Sequence, residues 1–295
     1  MPRCSRFSDV NARPPETGGG RVVATQVLRQ WDVRRTLLVA LALGLTATMA
    51  AASSWAATPW DPSPSDRFQL LLSGTPTAAQ LKGPFTVMEL DGFDTPSSVV
   101  ASLHALGKKA VCYIDVGTWE DWRPDAKAFP RRVLGKADAG WAGERWLDVR
   151  QQHVLLPIMA KRIARCVKKG FDAVDPDNVN GVENATGFHI TTKEQLSYDR
   201  AIAAIAHRDG LSVALKSFAS ETSALQPSFD FVVEEQCVQY RECTKLEPFV
   251  AHHKAVFDIE YTTSLGFCSA LPAGVEGLAK HLSLDAWVRW CPVAG

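Results

Sequence analysis

The residues best suited to chemistry are acids that close short apolar runs. Asp91, Asp115, Asp148, the pair Asp175 and Asp177, the pair Glu234 and Glu235, and Glu260 each stand at or near the end of such a run. An isolated acid there usually caps a helix or satisfies loop amides. A set of them around one mouth can do more. One carboxylic acid protonates a leaving glycosidic oxygen while a second carboxylate attacks, or activates water. Aromatic residues lie beside the acids: Tyr113, Trp119, Trp122, Tyr240 and Tyr261. Such rings pack on the apolar C–H faces of sugars. Lys216 ends another apolar run and can meet a sugar hydroxyl or hold a carboxylate in place.

Other chemistries find less support. The acid-rich stretch GFDAVDPDNVNG (170–181) suggests a calcium loop at first sight. With Gly181 in the glycine place of an EF-hand, the first ligand position falls on Pro176 and the last on Gly187, and neither is a carboxylate. There is no Cys-x-x-Cys pair and no histidine at ligand spacing from a cysteine, so no metal is expected. No cofactor is expected either. Lys plus Arg and Asp plus Glu number 32 each, so no global field draws the chain to nucleic acid or a membrane surface. The expected partner is a polysaccharide substrate.

Positioning these acids is the work of the elements around them. Apolar runs at 68–72, 85–90, 110–116, 146–149, 173–175, 212–215, 231–234, 255–259 and 281–284 read as strands. Helical spacing at 97–106, 154–169 and 193–208 falls between them, and each of these segments stops at or just before a glycine: Gly107, Gly170 and Gly210. Strands alternating with helices predict a parallel sheet, and the fold class is α/β, a single (β/α)8 barrel. Nine candidates for eight places make 85–90 the first barrel strand and 68–72 an extra leading segment. Asp177 then follows strand 4, Glu235 ends strand 6 and Glu260 ends strand 7. A doubly wound sheet is the alternative, but no glycine-rich phosphate loop follows a strand.

The chain divides into a leader with signal peptide (1–57), a linker (58–67) and the barrel domain (68–295). Arg34 and Arg35 precede an apolar run at 36–45, and small residues at 47–57 offer A-x-A-like cleavage sites. A secreted protein without stable membrane association follows. Beyond Cys4 in the leader there are Cys112, Cys166, Cys237, Cys243, Cys268 and Cys291, an even number that reads as a disulfide set with 15 pairings open. Cys237 and Cys243 can close a short loop beside Glu235, which leaves Cys112 with Cys166 and Cys268 with Cys291 by position.

Four segments, CYIDVGTWEDWRPD (112–125), GERWLDVR (143–150), GFDAVDPDNVNG (170–181) and EEQCVQYREC (234–243), resemble the glycoside hydrolase family 114 barrel. The resemblance runs from about Trp60 to Cys291. It implies an endo-α-1,4-polygalactosaminidase, with Asp177 and Glu235 as catalytic residues. The DN pair is also similar to α-galactosidase barrels, where the equivalent Asp is the nucleophile, which implies a retaining enzyme; Asp175 is the competing choice. Asp91, Tyr113, Asp115, Glu120, Asp175, Lys216, Glu234, Glu260 and Tyr261 are the candidate substrate-binding residues. Three places depart from the family pattern: Ser217-Phe218 after the strand-5 lysine, Asn180 where Asp is common and Glu234 where Asn is common. They leave open a hydrolase of another α-galactoside, while a catalytically silent carbohydrate-binding barrel is the third reading.

Overall fold

The structure, a computed structural model, describes residues 59–292; the expected leader lies outside them. The main sheet begins with β1 (Phe68–Leu71), β2 (Val87–Asp91) and β3 (Lys109–Asp115). A small antiparallel sheet follows, made of β4 (Thr118–Glu120), β5 (Leu134–Ala137) and β6 (Glu144–Leu147). The main sheet resumes with β7 (Ala173–Asp177), β8 (Ser212–Lys216), β9 (Phe231–Glu235), β10 (Val256–Glu260) and β11 (Glu276–Lys280), and ends in β12 (Val288–Trp290). From β1 to β11 its eight strands pair in chain order, all parallel, as a (β/α)8 barrel requires. β12 pairs antiparallel with β11.

Three strand expectations are corrected. The leading segment at 68–72 is itself the first barrel strand, and 146–149 belongs to the side sheet, where Trp146 pairs with Thr118. The last barrel strand is β11, not 281–284. Apolar content cannot separate a barrel strand from a side-sheet strand, and β11, with a charged residue at each end, carries too little of it to be noticed. One omission and one false inclusion offset each other, so Asp177, Glu235 and Glu260 keep their places on strands 4, 6 and 7. The expected linker is also part of the domain. Trp60 packs on Phe231 with ring centroids 6.1 Å apart, and its carbonyl accepts from Ser212 Oγ, at the start of β8.

The helices are α1 (Ala78–Leu81), α2 (Ser97–Ala105), α3 (Gln152–Lys169), α4 (Thr192–Arg208), α5 (Thr222–Leu225), α6 (Cys237–Tyr240) and α7 (Glu247–Val250). α3 buries Leu155, Ile158, Met159, Ile163 and Cys166 along one stripe and ends at Gly170, whose φ of 88° few side chains tolerate. α4 starts in a capping box between Thr191 and Glu194. Its Tyr198 donates to the Val116 carbonyl, tying the helix to the loop after β3.

Alternation along the strands prepares the site. The barrel interior is apolar at the strand starts, where Phe68, Val87, Val111, Ala173, Ala214, Phe231 and Phe257 are buried together. Two residues further on, the same face becomes polar, with Glu89, Tyr113, Asp175 and Lys216. Further still come Asp91, Asp115, Asp177, Glu235 and Tyr261. The hydrophobic layer forms a plug below and the chemistry sits on it, at the C-terminal mouth.

Among the described residues no backbone ladder joins β1 to β11 or β12, so the barrel closes by other means. Phe68 N donates to Glu276 Oε2 at 2.9 Å, and Trp290 Nε1 to the Phe68 carbonyl at 2.6 Å. Lys280, fully buried, donates to Gln69 Oε1 and to the carbonyls of Asp285 and Trp287. Cys268–Cys291 fastens the tail here, while Cys112–Cys166 ties β3 to α3 and Cys237–Cys243 closes the loop after β9. These are the three pairs expected. No helix among the described residues is long and apolar enough to cross a membrane.

Candidate active site

A cavity of about 620 Å³ opens at the C-terminal mouth. Asp177 ends β7 and Glu235 ends β9, with side chains 22% and 26% exposed, so both are open to a ligand. Lys216 ends β8 between them, almost fully buried. Its Nζ lies 3.4 Å from Asp177 Oδ1 and 3.5 Å from Glu235 Oε1. Asp177 Oδ2 accepts from Tyr113 Oη at 2.7 Å and Oδ1 from the Asn178 amide at 2.8 Å. Glu235 Oε1 accepts from Tyr261 Oη at 2.5 Å. Burial alone would lower the Lys216 pKa, but Asp177, Glu235, Asp175 and Glu89 together hold it well above the usual lysine value. It stays a cation. Burial, then Asp177, likewise keeps the Tyr113 hydroxyl protonated as a donor.

The backbone is unusual at the same three strand ends. Asn178, Ser217 and Gln236, each directly after a central site residue, have φ of 60°, 41° and 63°. Non-glycine residues pay for that region in strain, and such strain gathers at sites the surrounding fold over-determines. The left-handed turns fall just after Asp177, Lys216 and Glu235, and the three turn residues line the cavity themselves. Gly117 helps at β7: its amide donates to the Asp177 carbonyl and to Asp115 Oδ1, and a side chain there would run into the Asn178 backbone. In the sequence these positions carry no glycine that would announce them.

The other expected residues divide into groups. Asp91 and Glu120 reach the cavity wall, but arginines hold them. Arg123 grips Asp91 at 2.7 and 3.1 Å and Glu120 at 2.6 Å, and the buried Arg162 joins Glu120 to Asp125. Asp115, fully buried, accepts from the amides of Gly117 and Thr118, the Thr118 hydroxyl and Asn178 Nδ2. It shapes the β3–β4 turn and does not line the cavity. Glu260 accepts from the amides of Val238 and Gln239, at the start of α6. Asp175 and Glu89 lie beneath Asp177, both fully buried, and none of their carboxyl oxygens has a hydrogen-bond partner. Burial, with the neighbouring acids, pushes both carboxyls above the usual range, which favours their protonated forms under the mouth. Asp175 is therefore out of a substrate's reach. Glu234 faces a second, smaller hollow instead.

Of the aromatics, Tyr113 and Tyr261 line the cavity and Trp122 stands half exposed at its rim, where Trp141, unmarked in the sequence reading, joins it. Trp119 turns away and donates to the Ala126 carbonyl. Arg123, Arg162 and Glu89 were missed as well; only strand and helix register brings them to the site. Among the described residues no group of three or more His, Cys, Asp or Glu could hold a metal ion.

Two reachable carboxylates across a cavity at the mouth of a parallel barrel are the equipment a glycoside hydrolase uses. The chain belongs to glycoside-hydrolase family GH114, whose profile matches residues 48–294. Its fold is similar to Ega3 of Aspergillus fumigatus, a crystal structure in complex with galactosamine, with a TM-score of 0.75 at 28% identity over 79% of this chain and 98% of that one. It is also similar in fold to the glycoside hydrolase domain of PelA from Pseudomonas aeruginosa, with a TM-score of 0.59 at 15% identity over 74% and 96% of the two chains. No curated protein matches it in sequence.

Proposed function

We propose that the protein is a secreted, retaining endo-hydrolase of α-1,4-linked, galactosamine-rich polysaccharide. Lys216 bridging Asp177 and Glu235 carries this reading. A shared Nζ puts the two bridged oxygens no more than ~7 Å apart, which leaves room for the ~5–5.5 Å of retaining enzymes and little of the ~6.5–9.5 Å of inverting ones. Asp177, its oxygens oriented by three donors, suits attack on the anomeric carbon. Glu235 protonates the leaving oxygen and then takes a proton from the water that releases the glycosyl-enzyme. Trp122 and Trp141, exposed at the rim, offer ring faces on which sugars of a longer chain can pack. The sugar rests on family membership and on the galactosamine held by the similar Ega3 structure. Three disulfides and the expected leader support secretion.

The test is product analysis. Purified protein is incubated with α-1,4-galactosamine polymers of graded acetylation, the products are sized by mass spectrometry, and the first-formed anomer is followed by proton NMR. Short oligosaccharides appearing first as the α-anomer are expected. A first-formed β-anomer would mean inversion, and cleavage of a different α-galactoside alone would move the enzyme to that substrate.

A further inference from the structure

Beside the main cavity, on the other side of Glu235, lies a second hollow of about 230 Å³. The two share Asn180, Ser217, Glu235 and Gln236. Glu183, Glu234, Tyr240 and Glu242 belong to the hollow alone, and no lysine, arginine or histidine lines it. Most of these acids have partners: Glu183 accepts from Ser220 Oγ at 2.7 Å and Glu242 from Lys245 Nζ at 3.0 Å on the rim. Glu234 is only 2% exposed and uses one oxygen, which accepts from the Glu235 amide at 3.2 Å. Its Oε2 has no partner, and neither does the buried Ser217 Oγ. Two unmet polar atoms in the wall of an acidic hollow are costly to the fold unless something arrives to meet them.

We infer that this hollow is a subsite for a cationic amino group: the ammonium of an unacetylated hexosamine on the leaving-group side of the cleaved bond, anchored by Glu234 Oε2 and Ser217 Oγ. The inference rests on the proposed substrate and on Glu235 as the proton donor, since the hollow adjoins that residue. An ammonium brings three donors and no acceptor, which suits a wall of acceptors. An acetamido group brings one N–H, no charge and a carbonyl that would face carboxylates.

Protonation makes the idea measurable. Burial first, then Glu242, Asp258 and Glu235, push the Glu234 pKa up to about 8, and only the hydrogen bond from the Glu235 amide works against them. Glu183 faces it across the hollow; Lys245 is occupied by Glu242 and Lys216 by the catalytic acids. Near pH 7 the empty hollow therefore holds a largely protonated Glu234, and an entering ammonium drives that proton out.

The experiment uses the full chain carrying Asp177→Asn, which lies outside the hollow and stops turnover. Calorimetric titration at pH 7 compares an α-1,4-linked galactosamine oligosaccharide with its fully N-acetylated counterpart, each in two buffers of different ionisation heat. The amine form should bind roughly tenfold or more tighter, with a buffer-dependent heat that reports proton release. Adding Glu234→Gln should abolish both the preference and the proton release. Equal binding of the two forms, or a preference and release that survive Glu234→Gln, would overturn the subsite while leaving the proposed hydrolase intact. Binding of neither form would remove the galactosamine reading and the subsite with it. If Glu234→Gln does not fold, Ser217→Ala tests the other anchor by the same loss of preference.

Discussion

The ends of β2 and β3 and the ends of β7, β8 and β9 carry the same kind of residue and treat it differently. On the first side Asp91, Glu120 and Asp125 are held by Arg123 and Arg162, with Phe93 under both guanidinium groups. Each of these three acids has an arginine in contact. On the second side Asp175, Asp177 and Glu235 gather around Lys216 while Glu234 turns to its own hollow, and oxygens of Asp175 and Glu234 are left without partners. The first arrangement is a frame: multiply bonded, closed and unavailable to a ligand. The second keeps acids short of cations, which holds protons at unusual pH and leaves oxygens free. An acid at a barrel mouth is thus read by its partners and not by its place alone.

If that contrast is right, mutations on the two sides should fail in different ways. The largest effect belongs to the under-partnered side. Asp177→Asn and Glu235→Gln should each cut kcat by roughly three orders of magnitude or more, with the melting temperature unchanged or raised. Asp175→Asn should be milder, and the assignment within the DPDN segment reverses if it proves the more damaging of the two.

On the framed side the loss should be one of stability. Arg162→Met leaves Glu120 and Asp125 without their buried partner, and denaturant unfolding should show a loss of about 3–5 kcal/mol. Activity per folded molecule should survive, measured below the unfolding transition.

Lys216→Met comes next. Removing the cation between the catalytic carboxylates should lower kcat and move the acidic limb of the kcat/KM profile upward by about one pH unit. A drop in rate with an unmoved limb would mean that Lys216 only positions its neighbours.

The smallest effect is the most pH-specific. Burial pushes Asp258 up to about 7, against an ordinary value of 3.8 in the unfolded chain. Between those values the folded protein holds the proton more tightly, so stability falls as pH rises through the window. Asp258→Asn removes that loss while keeping an acceptor for the Cys237 amide. It should stabilise the protein at pH 8 and leave it unchanged near pH 4, read from paired thermal melts.

Much of this was open to reading along the chain. The helix stops at Gly107, Gly170 and Gly210 and the sulfur pairs are local or nearly so, and local signals survive without a structure. The barrel's last strand was hidden by its own function. β11 reads Glu-Gly-Leu-Ala-Lys, because Lys280 turns inward to close the seam and Gly277 sits where Leu271, Phe267 and Cys291 leave no space for a side chain. The sorting of acids into framed and free was beyond any periodicity. Arg162 lies on α3, 37 residues from Asp125 and 42 from Glu120, and nothing in its neighbourhood marks it as their partner. The left-handed residues after β7, β8 and β9 are hidden for the opposite reason, since the usual glycine signal is absent.

The seam has a consequence for how the molecule ages. Because β1 meets the end of the chain through side chains and a few isolated backbone contacts, the tail from Leu284 to Cys291 works as a clasp, and Cys268–Cys291 is its pin. Reduction of that disulfide is expected to free this segment first, read as new proteolytic cleavage between Leu284 and Cys291 in the reduced protein. Two unguarded strand edges then face outward, β1 and β11, each ready to pair with the edge of another molecule.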